Sequence, residues 1–114
     1  MIDRVRHRQT FQRLAREGVR IRRSTLWCTW CLQPESTAPQ VAYAIGRTLG
    51  PAVTRNRLRR RLRAILTEID RRDPLPPVAM LLGATPATIK LTFDQLRHNV
   101  EQLITQIRAD LIST

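Results

Sequence analysis

Six arginines stand within nine residues, at Arg55, Arg57, Arg59, Arg60, Arg61 and Arg63. Guanidinium is planar, permanently charged and forked, so it binds phosphate through paired hydrogen bonds. The same stretch carries Leu58, Leu62, Ile65, Leu66 and Ile69 at helical spacing. At about 100° per residue, these apolar side chains share one face of an α-helix. Asn56, Arg59, Arg60 and Arg63 then project from the opposite face, with Arg57 and Arg61 on one flank. No acidic residue lies between Glu35 and Glu68 to pair with them. A solvated charged face is the ordinary fate of a charge run. An unpaired comb of this density, however, repels itself until a polyanion neutralises it, which points to nucleic acid.

The whole chain repeats that asymmetry. Its 114 residues carry a net charge of +11. Residues 1 to 63 hold 15 of the 20 cations against Asp3, Glu17 and Glu35, whereas residues 64 to 114 are close to neutral. The first half therefore builds the partner-facing surface, and the second half completes the fold. Such a length suits one domain with a real core. Arginine interrupts every apolar stretch near the start, so no secretory or membrane-spanning segment is expected, and the expected location is the cytoplasm.

Other residues with chemical capacity carry less. Cys28 and Cys31 are spaced C-x-x-C, but zinc needs four ligands, and His7 and His98 stand at no metal-ligand spacing. In a strand, positions i and i+3 point to opposite faces, so the two thiols diverge and read as buried filler. Glu68, Asp70 and Asp73 form the one acid cluster, and helical geometry turns Glu68 away from the other two. No phosphate-binding glycine loop or nucleophile triad is present, and no catalytic or metal-holding residue is assigned to the protein itself.

The elements that position these groups follow from periodicity. A helix is predicted from about Arg8 to Glu17, with Phe11, Leu14 and Ala15 on one face and Gly18 as its stop. Residues 19 to 23 read only as basic. Leu26 to Leu32 and Val41 to Ile45 read as buried strands. Gly46 to Pro51 turns the chain into the arginine helix, which ends between Asp70 and Asp73. Val78 to Leu82 reads as a central strand and Gly83 to Lys90 as a loop. Thr92 to Gln95 forms a capping box for a last helix through Leu96, Val100, Leu103, Ile104, Ile107 and Leu111. The order αββαβα predicts an α+β fold, a small sandwich of a mixed β-sheet with helices packed on it. On the first strand, Trp27, Thr29 and Cys31 share one face, while Leu26, Cys28, Trp30 and Leu32 share the other.

The run from Gly46 to Arg60 resembles the signature of the bacterial ribonuclease P protein subunit, basic-basic-x-Gly-x-Ala-Val-x-Arg-Asn-x-x-basic-Arg. Phe11-x-x-Leu14-x-x-x-Gly18 is similar to the family's first-helix pattern, and the element order fits over almost the whole chain. The resemblance implies one RNA-binding domain over residues 1–114, including a left-handed βαβ crossover around the arginine helix. It also implies ribonuclease P activity as a holoenzyme. There, a catalytic RNA with Mg2+ hydrolyses one phosphodiester to remove the 5′ leader of precursor tRNA, and the protein alone is non-catalytic. Ribonuclease P RNA and precursor tRNA are the implied partners, with neither membrane nor DNA among them. Arg47, Arg55, Asn56, Arg57, Arg59, Arg60, Arg61 and Arg63 are the expected RNA-binding residues, and Phe11, Trp27 and Thr29 the expected leader-binding residues. Four positions depart from the pattern. Thr48 replaces a frequent lysine, Ala15 and Thr29 stand where relatives often carry aromatics, and Gly83 stands where an arginine is common. Charge alone supports a general RNA-binding protein, such as a ribosomal protein, equally well.

Overall fold

The computed structural model describes residues 1–36 and 38–113. The arginine stretch forms α2, Ala52–Arg72, whose Leu58, Leu62, Ile65, Leu66 and Ile69 are all buried. Burying each such side chain contributes roughly 1.5–3 kcal/mol, which anchors the helix despite its charge. The last helix, α3, spans Phe93–Ile112, and its capping box is formed: Thr92 Oγ1 accepts from the Gln95 N–H, and Gln95 Oε1 accepts from the Thr92 N–H. Both helices pack on one face of the sheet, against Leu26, Cys28 and Trp30 and against Val78, Met80 and Leu82.

That sheet has five strands: β1 (Asp3–Arg4), β2 (Val19–Arg23), β3 (Leu26–Leu32), β4 (Gln40–Ala44) and β5 (Val78–Ala84), in the order β1-β4-β5-β3-β2. β4 runs parallel to β1 and β5, while β3 is antiparallel to β5 and β2, so the sheet is mixed. The parallel pair β4 and β5 is joined through α2. The fold is α+β as expected, with two strands added to the predicted order. β1 is only two residues long, too short for a periodic signal. β2 was hidden by its charge, although Arg20-Ile21-Arg22 alternates with period two, and Ile21 packs against the core.

Two element boundaries also shift, and one helix cap differs in conformation. Gly83 is not loop: β5 continues to Ala84, and Pro86–Lys90 forms a short 3-10 turn. The second predicted strand begins at Gln40 and ends at Ala44. Gly18 ends the first helix, α1 (Arg8–Glu17), but with extended backbone rather than a left-handed cap. A side-chain carbon there would lie 2.2 Å from the Leu14 carbonyl oxygen and 2.5 Å from Thr29 Cγ2, so this close approach to β3 excludes larger residues. Gly50 does need its freedom, since its φ of 119° joins the Arg47–Leu49 turn to α2.

α1 is the helix on the opposite sheet face, where Leu14 packs on Cys31, Ala79 and Leu81. Strand parity therefore separates the two cysteines as expected. Cys28 lies among α2 and α3, Cys31 lies under α1, and both are free thiols. Burial pushes the Cys28 thiol up to about 12 and raises that of Cys31 as well.

Candidate nucleic-acid interface

α2 presents its arginines on three lines rather than one. Arg60 is exposed at the outer pole with Asn56, and Arg47 is exposed on the turn just before the helix. Arg57 and Arg61 lie on the flank facing the Pro86–Lys90 turn, where they border a cleft with Thr88 and Ile89. Arg59 and Arg63 lie on the other flank, towards β4 and β1. Among the described residues, none of these arginines pairs with a carboxylate. Their charge is therefore not neutralised by a carboxylate among the described residues. The N-terminal end of the helix dipole has the same sign and adds to it.

Two arginines are partly engaged within the protein. Arg55 Nε donates to the Gly50 carbonyl at 3.2 Å. Arg59, placed by periodicity on the outward face, is half-buried, donating to the Ile45 carbonyl at 2.9 Å and to Asn56 Oδ1 at 2.8 Å. These bonds fix the guanidinium orientations and tie α2 to the end of β4 and to the preceding turn. Arg63 stands over the Tyr43 ring at 5.7 Å, and burial raises the Tyr43 hydroxyl's pKa.

The Arg59 and Arg63 flank opens into a groove of about 710 Å³ around the short strand β1. Phe11 of α1, Tyr43 and Ala42 line it with the two arginines. The structure thus brings Phe11, expected at a separate leader site, beside two of the expected RNA-docking arginines. Trp27 and Thr29 do not line this groove. They lie further along the same sheet face, reached through cross-strand rows: Ala42 pairs with Leu81 and Leu81 with Thr29, while Ala44 pairs with Gly83 and Gly83 with Trp27.

Trp27 has two partners that sequence reading did not place. On the β5 side its indole lies over Gly83, where a side-chain carbon would come within 2.1 Å of the ring. From the β2 side, the Arg20 guanidinium stacks 4.2 Å from the ring centroid. The indole thus occupies the space that a larger residue at position 83 would need. The period-two pattern of β2 is the signal that would have placed Arg20 on this face. Ala15, on α1, is exposed.

The acid cluster disperses. Glu68 meets Arg97 of α3, Asp73 meets Arg108, and Asp70 accepts from the Leu75 N–H and the Met1 ammonium. The Leu75 N–H is the first cause holding the Asp70 carboxyl below its usual range. Among the described residues, no three His, Cys, Asp or Glu side chains gather where a metal ion could be held. Nor is any helix among them long and apolar enough to cross a membrane.

A basic α+β protein with a run of unpaired arginines on one helix and a sheet face covered by one short helix is the class that fold and surface define. The family model for ribonuclease P matches residues 2–108, and the chain belongs to that family. Ribonuclease P protein components are among its relatives. That of Micrococcus luteus is 35% identical over 105 residues, covering 83% of this chain and 80% of the relative. That of Beutenbergia cavernae is 30% identical, covering 92% and 87%. Among solved structures, the fold is similar to an RNase P protein of Staphylococcus aureus, with a TM-score of 0.81 at 19% identity over 92% of this chain and 87% of that one. It is also similar to the RNase P protein of Thermotoga maritima, at 0.75 and 19% over 91% and 96%. The general ribosomal-protein alternative gives way to this assignment.

Proposed function

We propose that this chain acts as the protein subunit of a ribonuclease P ribonucleoprotein. It binds the ribonuclease P RNA through Arg47, Arg55, Asn56, Arg57, Arg59, Arg60, Arg61 and Arg63, and engages the precursor tRNA leader along Phe11, Trp27 and Thr29. The observation that carries this reading is the run of six arginines from Arg55 to Arg63 on α2, whose guanidiniums have no carboxylate partner among the described residues. Phosphate-rich RNA satisfies such a set, and counterion release then drives docking. The sheet face supplies what duplex-facing charge cannot: aromatic and small side chains that a single strand can lie across.

Hydrolysis of the leader phosphodiester is assigned to the RNA subunit with its Mg2+, and the protein's own part is to bind, orient and neutralise. Arg59 and Arg63 share a groove with Phe11. A strand entering there meets phosphate contacts and a stacking ring together, which supports a hand-over from the docked RNA to the leader.

Reconstitution tests the proposal. Precursor tRNA cleavage is measured at low magnesium with the RNA subunit, with and without this protein. Stimulation only when RNA is present is the expected result. Cleavage by the protein without RNA, or no effect on the RNA's activity, would overturn it.

A further inference from the structure

The outer strand β2 carries charge that the arginine helix does not account for. Its alternation places Arg20 and Arg22 on the face that α2 and α3 leave open, because Arg20 pairs with Thr29 and Arg22 with Trp27 across the antiparallel ladder. Both are exposed, and neither forms an ion pair among the described residues. Arg23, one residue on, turns to the opposite face and donates to Gln106 Oε1 at 2.8 Å, so the exposure of its neighbours is specific to this side.

Arg20 is also held in place. Its guanidinium stacks on the Trp27 indole, which is seated over Gly83. Stacking uses the faces of the guanidinium and leaves its in-plane N–H groups free, the edge that grips phosphate. Ordering the side chain beforehand lowers the entropy cost of that grip. Beyond the indole, the sheet face is floored by the small side chains of Ala42 and Ala44 on β4. α1 covers only the part around Leu14, Cys31, Ala79 and Leu81. A small-residue floor with a cationic wall suits a single polyanionic strand better than a duplex.

We infer that Arg20 and Arg22, with Trp27, form a second phosphate clamp for single-stranded RNA, one that engages the leader upstream of the segment meeting α2. This rests on the leader-binding role proposed above and adds two residues and a length requirement to it. From β4 to β2 is three strand spacings, about 14 Å. A stacked single strand covers that distance in about four nucleotides, at about 3.4 Å each. The clamp therefore acts only on leaders long enough to cross the sheet.

The test measures binding of holoenzyme to leaderless tRNA and to precursors with short and long leaders, for the unaltered protein, for an Arg20→Gln/Arg22→Gln variant and for an Arg20→Lys/Arg22→Lys variant. The glutamine pair should lose about tenfold in affinity for the long-leader precursor alone, as two charge-assisted contacts disappear. Its log-affinity against log-salt slope should also shrink by about 1.4, the value for two single-strand phosphate contacts. The lysine pair keeps the cations and should recover the salt slope but only part of the affinity, because lysine lacks the stacked planar fork. Undiminished long-leader binding by the glutamine pair would overturn the clamp while leaving the subunit's broader leader role intact. Equal loss on all three substrates would overturn it too, as would a lysine pair whose salt slope is as small as that of the glutamine pair, because the lost contacts would then not be cation–phosphate contacts. Absence of any leader preference in the unaltered holoenzyme would instead overturn the leader-binding reading on which the clamp rests.

Discussion

The two faces of the one sheet are covered differently, and the proposed function draws on that difference. On the closed face, Leu26, Cys28, Trp30, Met80 and Leu82 meet two long helices and are almost fully buried. On the open face, α1 covers Cys31, Ala79 and Leu81, while Trp27 and Thr29 remain half-buried, with Arg20 of β2 stacked on the Trp27 indole. Parity along each strand thus parts the side chains under α2 and α3 from those that carry the proposed leader contacts. Substitutions one position apart should then break different properties.

The largest effect belongs to the closed side. Leu62→Ala, at a fully buried position in the α2 stripe, should cost about 2–5 kcal/mol of stability in chemical denaturation. A loss under 1 kcal/mol would mean that α2 is not anchored as described. Its RNA affinity, measured where the variant is still folded, should change little.

Gly83→Ala is the corresponding break on the open side. The added methyl meets the indole at 2.1 Å, so either the strand or Trp27 must move, at a cost of about 1–3 kcal/mol. Trp27 fluorescence in a Trp30→Phe background should report the displacement, and leader RNA should quench it less than in the parent. An unchanged spectrum with unchanged stability would contradict the seating of Trp27 on Gly83.

Arg57→Ala tests the arginine helix in isolation. Its side chain is exposed and outside the apolar stripe, so thermal stability should stay within about 0.5 kcal/mol. Affinity for the catalytic RNA should fall by about 1–3 kcal/mol if its fork grips a phosphate. A fall in melting temperature matching the loss of binding would point to a structural role instead.

The smallest effect is expected at the cysteines. With the Cys28 thiol pushed up to about 12, a thiol reagent at pH 8 should modify it only as fast as the protein opens. Replacing Cys28 and Cys31 together by Ala should lower stability through lost packing while leaving RNA affinity unchanged. Stoichiometric bound zinc, or activity that follows dithiol redox state, would contradict the divergence of the two thiols.

Much of this was legible in the chain because it depends on local spacing. Hydrophobic period set α2 and α3, the Thr92 and Gln95 pair set a helix start, and strand parity parted Cys28 from Cys31. The lack of carboxylates between Glu35 and Glu68 already left the arginines without nearby partners. What the chain could not display was which distant backbone each side chain would meet. Arg59 lies on the polar side of a helical wheel, yet the end of β4 comes close enough for its guanidinium to reach the Ile45 carbonyl. Arg20 looked like one more charge until the β2–β3 and β3–β5 pairings put it beside Trp27 and put Trp27 over Gly83. Phe11 joined Arg59 and Arg63 only because β1 adds to the sheet edge beside β4 and frames the groove they share. Spacing along the chain determined which residues face the core and which carry the charge, since that follows from the 3.6- and 2-residue periods. Strand order and register decided which charges are held, which stay free and which aromatic they flank, since those contacts join residues far apart in sequence.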